Sequence, residues 1–155
     1  MPDTDTTRTA KRCAEAMYAK DAASQALGIH VAIPAAGKAI ARMTVREDMV
    51  NGFDVCHGGL LFTLADTAFA FACNGYDDVT VAAAASIDFL RPARLGDELH
   101  ALASEDYRGS KSGFYTVEVR NQRDETVAIF RGRSASRGER LPGTDTNEIE
   151  NCRKP

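Results

Sequence analysis

The sequence predicts an α+β domain in which one sheet wraps around a single buried helix. Residues 57–74 have a helical pattern that is apolar on nearly every side, which is typical of a buried helix rather than a surface one. After this helix the hydrophobic period changes to two, and short connections separate four strand-like segments: 79–90, 98–108, 114–123 and 126–137. Because such a helix needs cover all round, we expect the sheet to curve around it.

The elements before the long helix follow from local patterns. Apolar residues at i, i+3, i+4 and i+7 predict a helix over 9–27 that weakens near Asp21 and stops at Gly28. Alternating residues predict strands at 29–33 and 38–45, which a turn joins, and an irregular loop at 47–56. Between the last two strands, 124–125 reads as a tight hairpin turn.

Length and charge restrict the possible functions. The chain has 155 residues, enough for one domain with its own core. We divide it into an N-terminal polar segment and helix at 1–24, the main domain at 25–138, and a disordered tail at 139–155. The formal net charge of −3 argues against a nucleic-acid partner, which needs a basic surface.

Cysteine usage and the N-terminus predict a reduced, cytoplasmic protein. The four cysteines include no CxxC pair, and the acidic N-terminus lacks the basic start and apolar core of a signal peptide. The longest apolar stretch, 60–73, is about 14 residues long and therefore too short to span a bilayer. We expect no membrane partner, no metal and no cofactor.

Two features of the long helix suggest chemistry. Asp66 is the only formal charge between His57 and Tyr76, and a buried carboxylate is costly unless it is paired or solvated. It is either a satisfied structural group or a working group that faces a cavity. The helix begins at Gly58-Gly59, where free N–H groups suit an anion or a carbonyl that becomes one, although two glycines taken alone are more often a flexible turn before a helix.

The spacing of these residues predicts a dimer if they act together. Gly58 and Asp66 are eight residues apart, about 12 Å along a helix axis, so one substrate carbonyl does not easily meet both. Two antiparallel copies related by a two-fold axis bring Gly58 of one beside Asp66 of the other.

The run NGFDVCHGGLLFTLADTAFA at 51–70 resembles the signature of the hotdog-fold acyl-CoA thioesterases, and most closely their phenylacetate-degradation branch. The runs IDFLRP at 87–92 and FRG at 130–132 resemble the same branch, and the resemblance spans about 25–138. It implies a hotdog fold, which is a curved antiparallel sheet around one long central helix. It also implies hydrolysis of an aryl-acyl or short- to medium-chain acyl-CoA without a cofactor, by a homodimer or a dimer of dimers.

The resemblance also implies residue roles. Asp66 is the catalytic carboxylate, as a general base on water or by direct attack, and the N–H of Gly58 from the partner subunit polarises the thioester carbonyl. Asn51 and His57 position the carbonyl or the water, and Thr67 lies beside the carboxylate. Some relatives have a serine near position 82, where this chain has alanine. For contacts with the substrate and the CoA phosphates we expect the following residues: Gly59, Arg91, Ser110, Lys111, Ser112 and Arg131.

Weaker alternatives remain at this stage. Cys56 adjoins His57 and suggests a thiol nucleophile, and the three histidines suggest metal, but neither has the usual spacing. The segment 108–113 is like a phosphate loop in composition only. At the level of function, the alternatives are a non-catalytic acyl-CoA sensor and a hotdog-fold enoyl-thioester hydratase or dehydratase.

Overall fold

A six-stranded antiparallel sheet wraps around one long helix in the computed structural model, which describes residues 3–145. The strand order is β1-β2-β4-β5-β6-β3, and the long helix α3 packs against the inner face of the sheet. The elements are α1 (Asp5–Tyr18), α2 (Ala22–Ala26), β1 (His30–Ala35), β2 (Lys38–Thr44), a short 3-10 turn (Glu47–Met49), α3 (Gly58–Cys73), β3 (Thr80–Phe89), β4 (Glu98–Arg108), β5 (Ser112–Arg120) and β6 (Thr126–Ser136). The predicted α+β architecture is confirmed.

The helix α3 is the centre of the core, as its apolar surface predicts. Its Phe69 side chain is fully buried and packs edge-on against Tyr115 of β5, with ring centroids 5.5 Å apart. On β6, a Cβ at Gly132 would lie 2.8 Å from the same ring, so a glycine there allows the strand to approach the helix closely. One stripe of α3 stays only partly covered by its own chain, and its members are Gly59, Phe62, Thr63, Asp66 and Ala70.

The N-terminal helix differs from its predicted bounds. It begins at Asp5 because the Thr4 hydroxyl accepts the N–H of Thr7 and so caps the first turn. The predicted break near Asp21 is confirmed, since this carboxylate accepts the N–H of Ser24 and starts α2. The boundary predicted between 24 and 25 therefore falls inside α2.

The connection between β5 and β6 corrects the predicted tight turn at 124–125. It has five residues, 121–125, and the buried side chain of Asn121 organises it. The Asn121 Oδ1 atom accepts the N–H groups of Arg123 and Glu125, and Asp124 adopts a positive φ of 61°. A buried asparagine side chain thus adds to the backbone hydrogen bond from the Asn121 N–H to the Glu125 carbonyl at this end of the sheet.

The predicted disorder from residue 139 is wrong for 139–145. The Asp77 carboxylate accepts hydrogen bonds from the Arg140 guanidinium, the Leu141 N–H and the Thr144 hydroxyl, and Leu141 is buried. Asp77 lies just after α3. Because all three groups bind its carboxylate, these contacts hold the segment against the end of that helix. Residues 146–155, the rest of the predicted tail, lie outside the described residues.

The two edges of the sheet differ in how they are protected. The β1 edge contains Pro34 and a register irregularity between Ala32 and Ala35, and α1 packs along it. The β3 edge is uncovered over 81–85, which carries neither proline nor charge. Both edge strands contain a register irregularity, which in β3 lies between Ala82 and Ala84, so the edges differ in the proline and the covering helix that only β1 has.

In 3–145 no helix is long and apolar enough to cross a bilayer. Cys13, Cys56 and Cys73 are buried, and within those residues they form no disulfide.

Candidate functional site

The first turn of α3 leaves one backbone donor available. The His57 ring Nδ1 accepts the N–H of Gly59 at 2.9 Å, and the His57 carbonyl accepts the N–H of Leu60 at 2.9 Å. The next N–H, from Leu61, reaches the same carbonyl at 3.3 Å. The Gly58 N–H has no acceptor in residues 3–145. It stands at the positive end of the helix dipole and is available to a ligand oxygen.

The cap at His57 also assigns roles within the predicted site. Because Nδ1 accepts a hydrogen bond, the neutral ring carries its proton on Nε2, and this exposed atom is the one left to meet a ligand. The Gly59 N–H is used by the cap, so Gly59 offers a ligand space rather than a donor. His57 thus both caps the helix and presents a polar atom at its start.

Asn51 organises the loop that leads into α3. Its Oδ1 atom accepts the N–H of Phe53 at 2.9 Å and that of Val55 at 3.4 Å, which holds 51–55 as a compact turn. The amide Nδ2 has no acceptor in the described part of the chain. Asn51 therefore carries a free donor on a fixed turn that lies next to Gly58.

A cavity of about 340 Å³ opens beside Gly58. Asn51 and Arg91 form its polar part, and the apolar walls include Val55, Cys56, Leu61, Phe89, Pro92 and Ala93. The Phe89 ring lies directly over the helix start, since a Cβ on Gly58 would be 3.0 Å from its Cζ atom. The sequence did not assign any of these apolar residues to the site individually; they appeared only within the runs 51–70 and 87–92. Their place in one cavity depends on the fold, which brings the end of β3 to the start of α3.

Asp66 is half-buried on the partly covered stripe of α3, and its carboxylate has no hydrogen-bond partner in residues 3–145. Desolvation by burial raises the pKa of Asp66 above its ordinary value. An unpaired, partly desolvated carboxylate is typical of a working group rather than a structural one. It lies about 12 Å along the axis from Gly58, so one protomer does not bring the two together.

The threonines near Asp66 are occupied by the helix backbone. The Thr67 hydroxyl donates to the Thr63 carbonyl at 2.8 Å, and that of Thr63 donates to the Gly59 carbonyl at 2.9 Å. Consecutive residues on a helix point about 100° apart, so the buried Thr67 side chain faces the core whereas Asp66 faces outward. Within one protomer Thr67 therefore makes no hydrogen bond with Asp66, since its hydroxyl donates to the Thr63 carbonyl.

The residues expected to contact CoA lie in three separate places. Arg91 lines the cavity beside Gly58. Lys111 and Ser112, with Ser110, form the β4–β5 hairpin near Thr80, at the opposite end of β3. Arg131 lies on β6 on the outer face of the sheet, 3.9 Å from the Asp88 carboxylate. A single protomer does not assemble these residues into one site.

The rival constellations find no support. Burial raises the pKa of the Cys56 thiol to about 11, and the neighbouring His57 Nδ1 is occupied by Gly59, so no thiolate–imidazole pair forms. His30 and His100 flank Arg42 on the sheet, and residues 3–145 contain no group of three metal-ligating side chains. The segment 108–113 is a strand hairpin and does not open a helix.

Comparison with known proteins gives consistent matches. A family model described as the thioesterase superfamily matches residues 53–128. The acyl-coenzyme A thioesterase PaaI of Escherichia coli (strain K12) is 49% identical over 135 residues, which cover 87% of this chain and 94% of that one. The solved E. coli PaaI structure matches with a TM-score of 0.86 and 46% identity, covering 88% of this chain and 99% of that chain. A Streptococcus mutans protein bound to acetyl CoA matches with a TM-score of 0.69 and 25% identity, covering 72% and 90%.

Proposed function

The chain belongs to the thioesterase superfamily as a hotdog-fold acyl-CoA thioesterase, and from that premise we propose that two copies combine to form each active site. The substrate we propose is an aryl-acyl, phenylacetyl-type or short- to medium-chain acyl-CoA, which gives a free acid and CoA. The observation that carries the proposal is the pair of unsatisfied groups on one helix. The free Gly58 N–H and the unpaired Asp66 carboxylate suit one thioester, yet they lie too far apart within one chain.

Pairing of β3 with the β3 of a second copy supplies the other half of each active site. This edge is uncovered over 81–85 and has neither proline nor charge there, whereas the β1 edge contains Pro34 and is covered by α1. An isologous contact across a two-fold axis joins the two sheets and lets the open stripes of the two α3 helices face one another. Asp66 of one helix then approaches Gly58 of the other.

The same pairing explains why the expected CoA contacts are scattered. In an antiparallel β3–β3 pair, the start of one strand lies beside the end of the other. The hairpin that carries Lys111 is near the start of β3, and Arg91 follows its end. The partner's Lys111 therefore approaches Arg91, and the two cations together suit the phosphates of CoA.

We assign the chemical roles on this basis. The thioester oxygen accepts the N–H of Gly58, which stabilises the negative charge that develops on it. The Asp66 carboxylate takes a proton from water as the water attacks, or it attacks the carbonyl carbon itself to form an anhydride that water then hydrolyses. In the general-base route the departing sulfur receives that proton from Asp66 and leaves as the CoA thiol. In the direct-attack route the sulfur leaves as a thiolate when the anhydride forms and takes its proton from solvent. The free amide of Asn51 and the Nε2–H of His57 orient the carbonyl or the water.

A dimer of dimers is the larger assembly that we propose. Three large apolar side chains are exposed on β4 and β5 in one protomer: Leu102, Tyr107 and Phe114. A second dimer stacked on this face would cover them.

The buried, unpaired cysteines fit the reducing cytoplasm in which we place the protein.

The test of the proposed function is thiol release. Purified protein with phenylacetyl-CoA is expected to release free CoA at a rate proportional to enzyme concentration, measured with a chromogenic thiol reagent after a short quench. The Asp66→Asn variant is the matched blank for non-enzymatic hydrolysis. Saturable acyl-CoA binding without thiol release would instead indicate the sensor function, and water addition to an enoyl-CoA would indicate the hydratase.

The rate is expected to depend on pH through Asp66. The reactive form is the carboxylate, so kcat falls as the pH drops through its pKa. Because desolvation raises that pKa, the midpoint of the acid limb should lie above the value of about 4 for an ordinary aspartate. A profile of kcat against pH at saturating substrate checks this. A midpoint at or below the ordinary value would contradict a desolvated base.

A further inference from the structure

The cavity beside Gly58 has walls that suit an uncharged organic group. Its surface is mostly apolar, and the side chains of Leu61 and Cys56 in its wall are buried in the core. Asn51 and Arg91 are the polar side chains in its lining. A mostly apolar cavity with a few polar groups is the usual form of a small-molecule site.

The donor at Gly58 determines what enters this cavity. A thioester carbonyl that accepts the Gly58 N–H carries two substituents, the sulfur and the acyl carbon. The sulfur continues into the long polar chain of CoA, which has to leave the cavity toward solvent. The acyl group is the shorter substituent and carries no charge, so a mostly apolar cavity beside the donor fits it. The volume of about 340 Å³ is at the small end of ligand sites, which suits one ring or a medium chain.

Phe89 is the wall nearest to the reacting carbonyl. Its ring atoms Cζ and Cε1 lie 3.0 and 3.3 Å from the position of a Cβ on Gly58. The side chain stays 54% exposed in one protomer although it is large and apolar, because it covers the cavity rather than filling the core. An aryl group beside Gly58 would contact this ring edge to face or offset, an arrangement that aromatic pairs favour.

We propose that the acyl group occupies this cavity of the protomer that supplies Gly58, and that Phe89 is the residue that sets the preference for aryl over small acyl groups. The inference rests on the proposed thioesterase function and extends it to the acyl subsite. The partner contributes Asp66 to the chemistry, and this protomer selects the acyl group.

The experiment measures kcat/KM for phenylacetyl-CoA and for acetyl-CoA and compares their ratio among variants. Phe89→Ala is expected to lower the phenylacetyl-to-acetyl ratio about tenfold, because both the aromatic contact and apolar cover are lost. Phe89→Leu keeps the apolar cover and should fall between Phe89→Ala and the wild type. Leu95→Ala is the matched control, because Leu95 is an apolar side chain that is also 54% exposed but lies outside the cavity, and it should leave the ratio unchanged.

A second variant tests the cavity itself. Val55→Phe adds a ring to its half-buried wall and is expected to lower the same ratio by occupying the space of the aryl group. If wild-type protein releases thiol but neither Phe89→Ala nor Val55→Phe moves the ratio, the acyl subsite is elsewhere and the inference is overturned. If wild-type protein releases no thiol from either substrate, the proposed function itself fails.

Discussion

Replacing Asp66 with asparagine is expected to lower kcat by about 10²- to 10⁴-fold, the usual contribution of a positioned general base. The amide keeps the shape and polarity of the side chain but neither accepts a proton from water nor attacks the thioester. Binding of acyl-CoA should change little, because the donors at Gly58 and Asn51 and the cations at Arg91 and Lys111 are untouched. Steady-state thiol release at saturating phenylacetyl-CoA measures the loss in kcat, and KM should stay close to the wild-type value.

The stability of the same variant separates chemistry from folding. Burial raises the folded-state pKa of Asp66 above its unfolded value, so the folded protein binds more protons between the two values. Stability is therefore lost as the pH rises through that window, and the charged side chain weakens the fold at neutral pH. Asp66→Asn removes this effect, and its thermal midpoint should be equal to or higher than that of the wild type. Near-wild-type turnover by this folded variant would exclude Asp66 as the base.

The central helix and its charge were predictable because each depends on local sequence. An almost wholly apolar stretch of this length requires cover on all sides, and a single carboxylate within it has to be paired, solvated or functional. The structure confirms the helix at Gly58–Cys73 and leaves Asp66 unpaired in residues 3–145. The two glycines at its start were ambiguous, and the His57 cap shows which N–H group stays free.

Other features depend on contacts between distant residues and had no local signal. Phe89 reads as one more apolar residue in a strand, and only the approach of β3 to the start of α3 makes it a wall of the cavity. The polar composition after Gly138 is typical of disorder, yet the Asp77 carboxylate fastens three groups of that segment. Asn121 continues the alternation of β5, and its buried amide instead builds the turn.

Gly58→Pro is expected to lower kcat by about 10²- to 10³-fold, the usual cost of losing one oxyanion donor. Proline deletes the one N–H in the first turn of α3 that has no acceptor in residues 3–145, and it stands at the first helical position, where proline is favoured. His57 has φ −58° and ψ 131°, a conformation that a following proline accepts. The helix should therefore stay intact, which circular dichroism checks, while the donor is lost.

Gly58→Ala is the control that keeps the N–H and adds only a Cβ. That Cβ meets the half-exposed Phe89 ring at 3.0 Å, as the proline ring would, so steric effects are shared by both variants. The difference in kcat between Gly58→Pro and Gly58→Ala then measures the loss of the N–H together with the proline Cδ that takes its place. Equal values of kcat would mean that the Gly58 N–H does not contact the reacting oxygen.

Mixed dimers decide whether the donor and the carboxylate come from different chains. When Asp66→Asn and Gly58→Pro chains carry different tags and are co-purified, one site of each mixed dimer contains both defects and the other contains none. Such dimers should regain about half of wild-type activity per dimer, although each variant alone is nearly inactive. If both residues of a site came from one chain, every site would keep one defect and no activity would return. Recovery of activity would therefore show that Gly58 and Asp66, which lie about 12 Å apart along one helix, act together from two different copies.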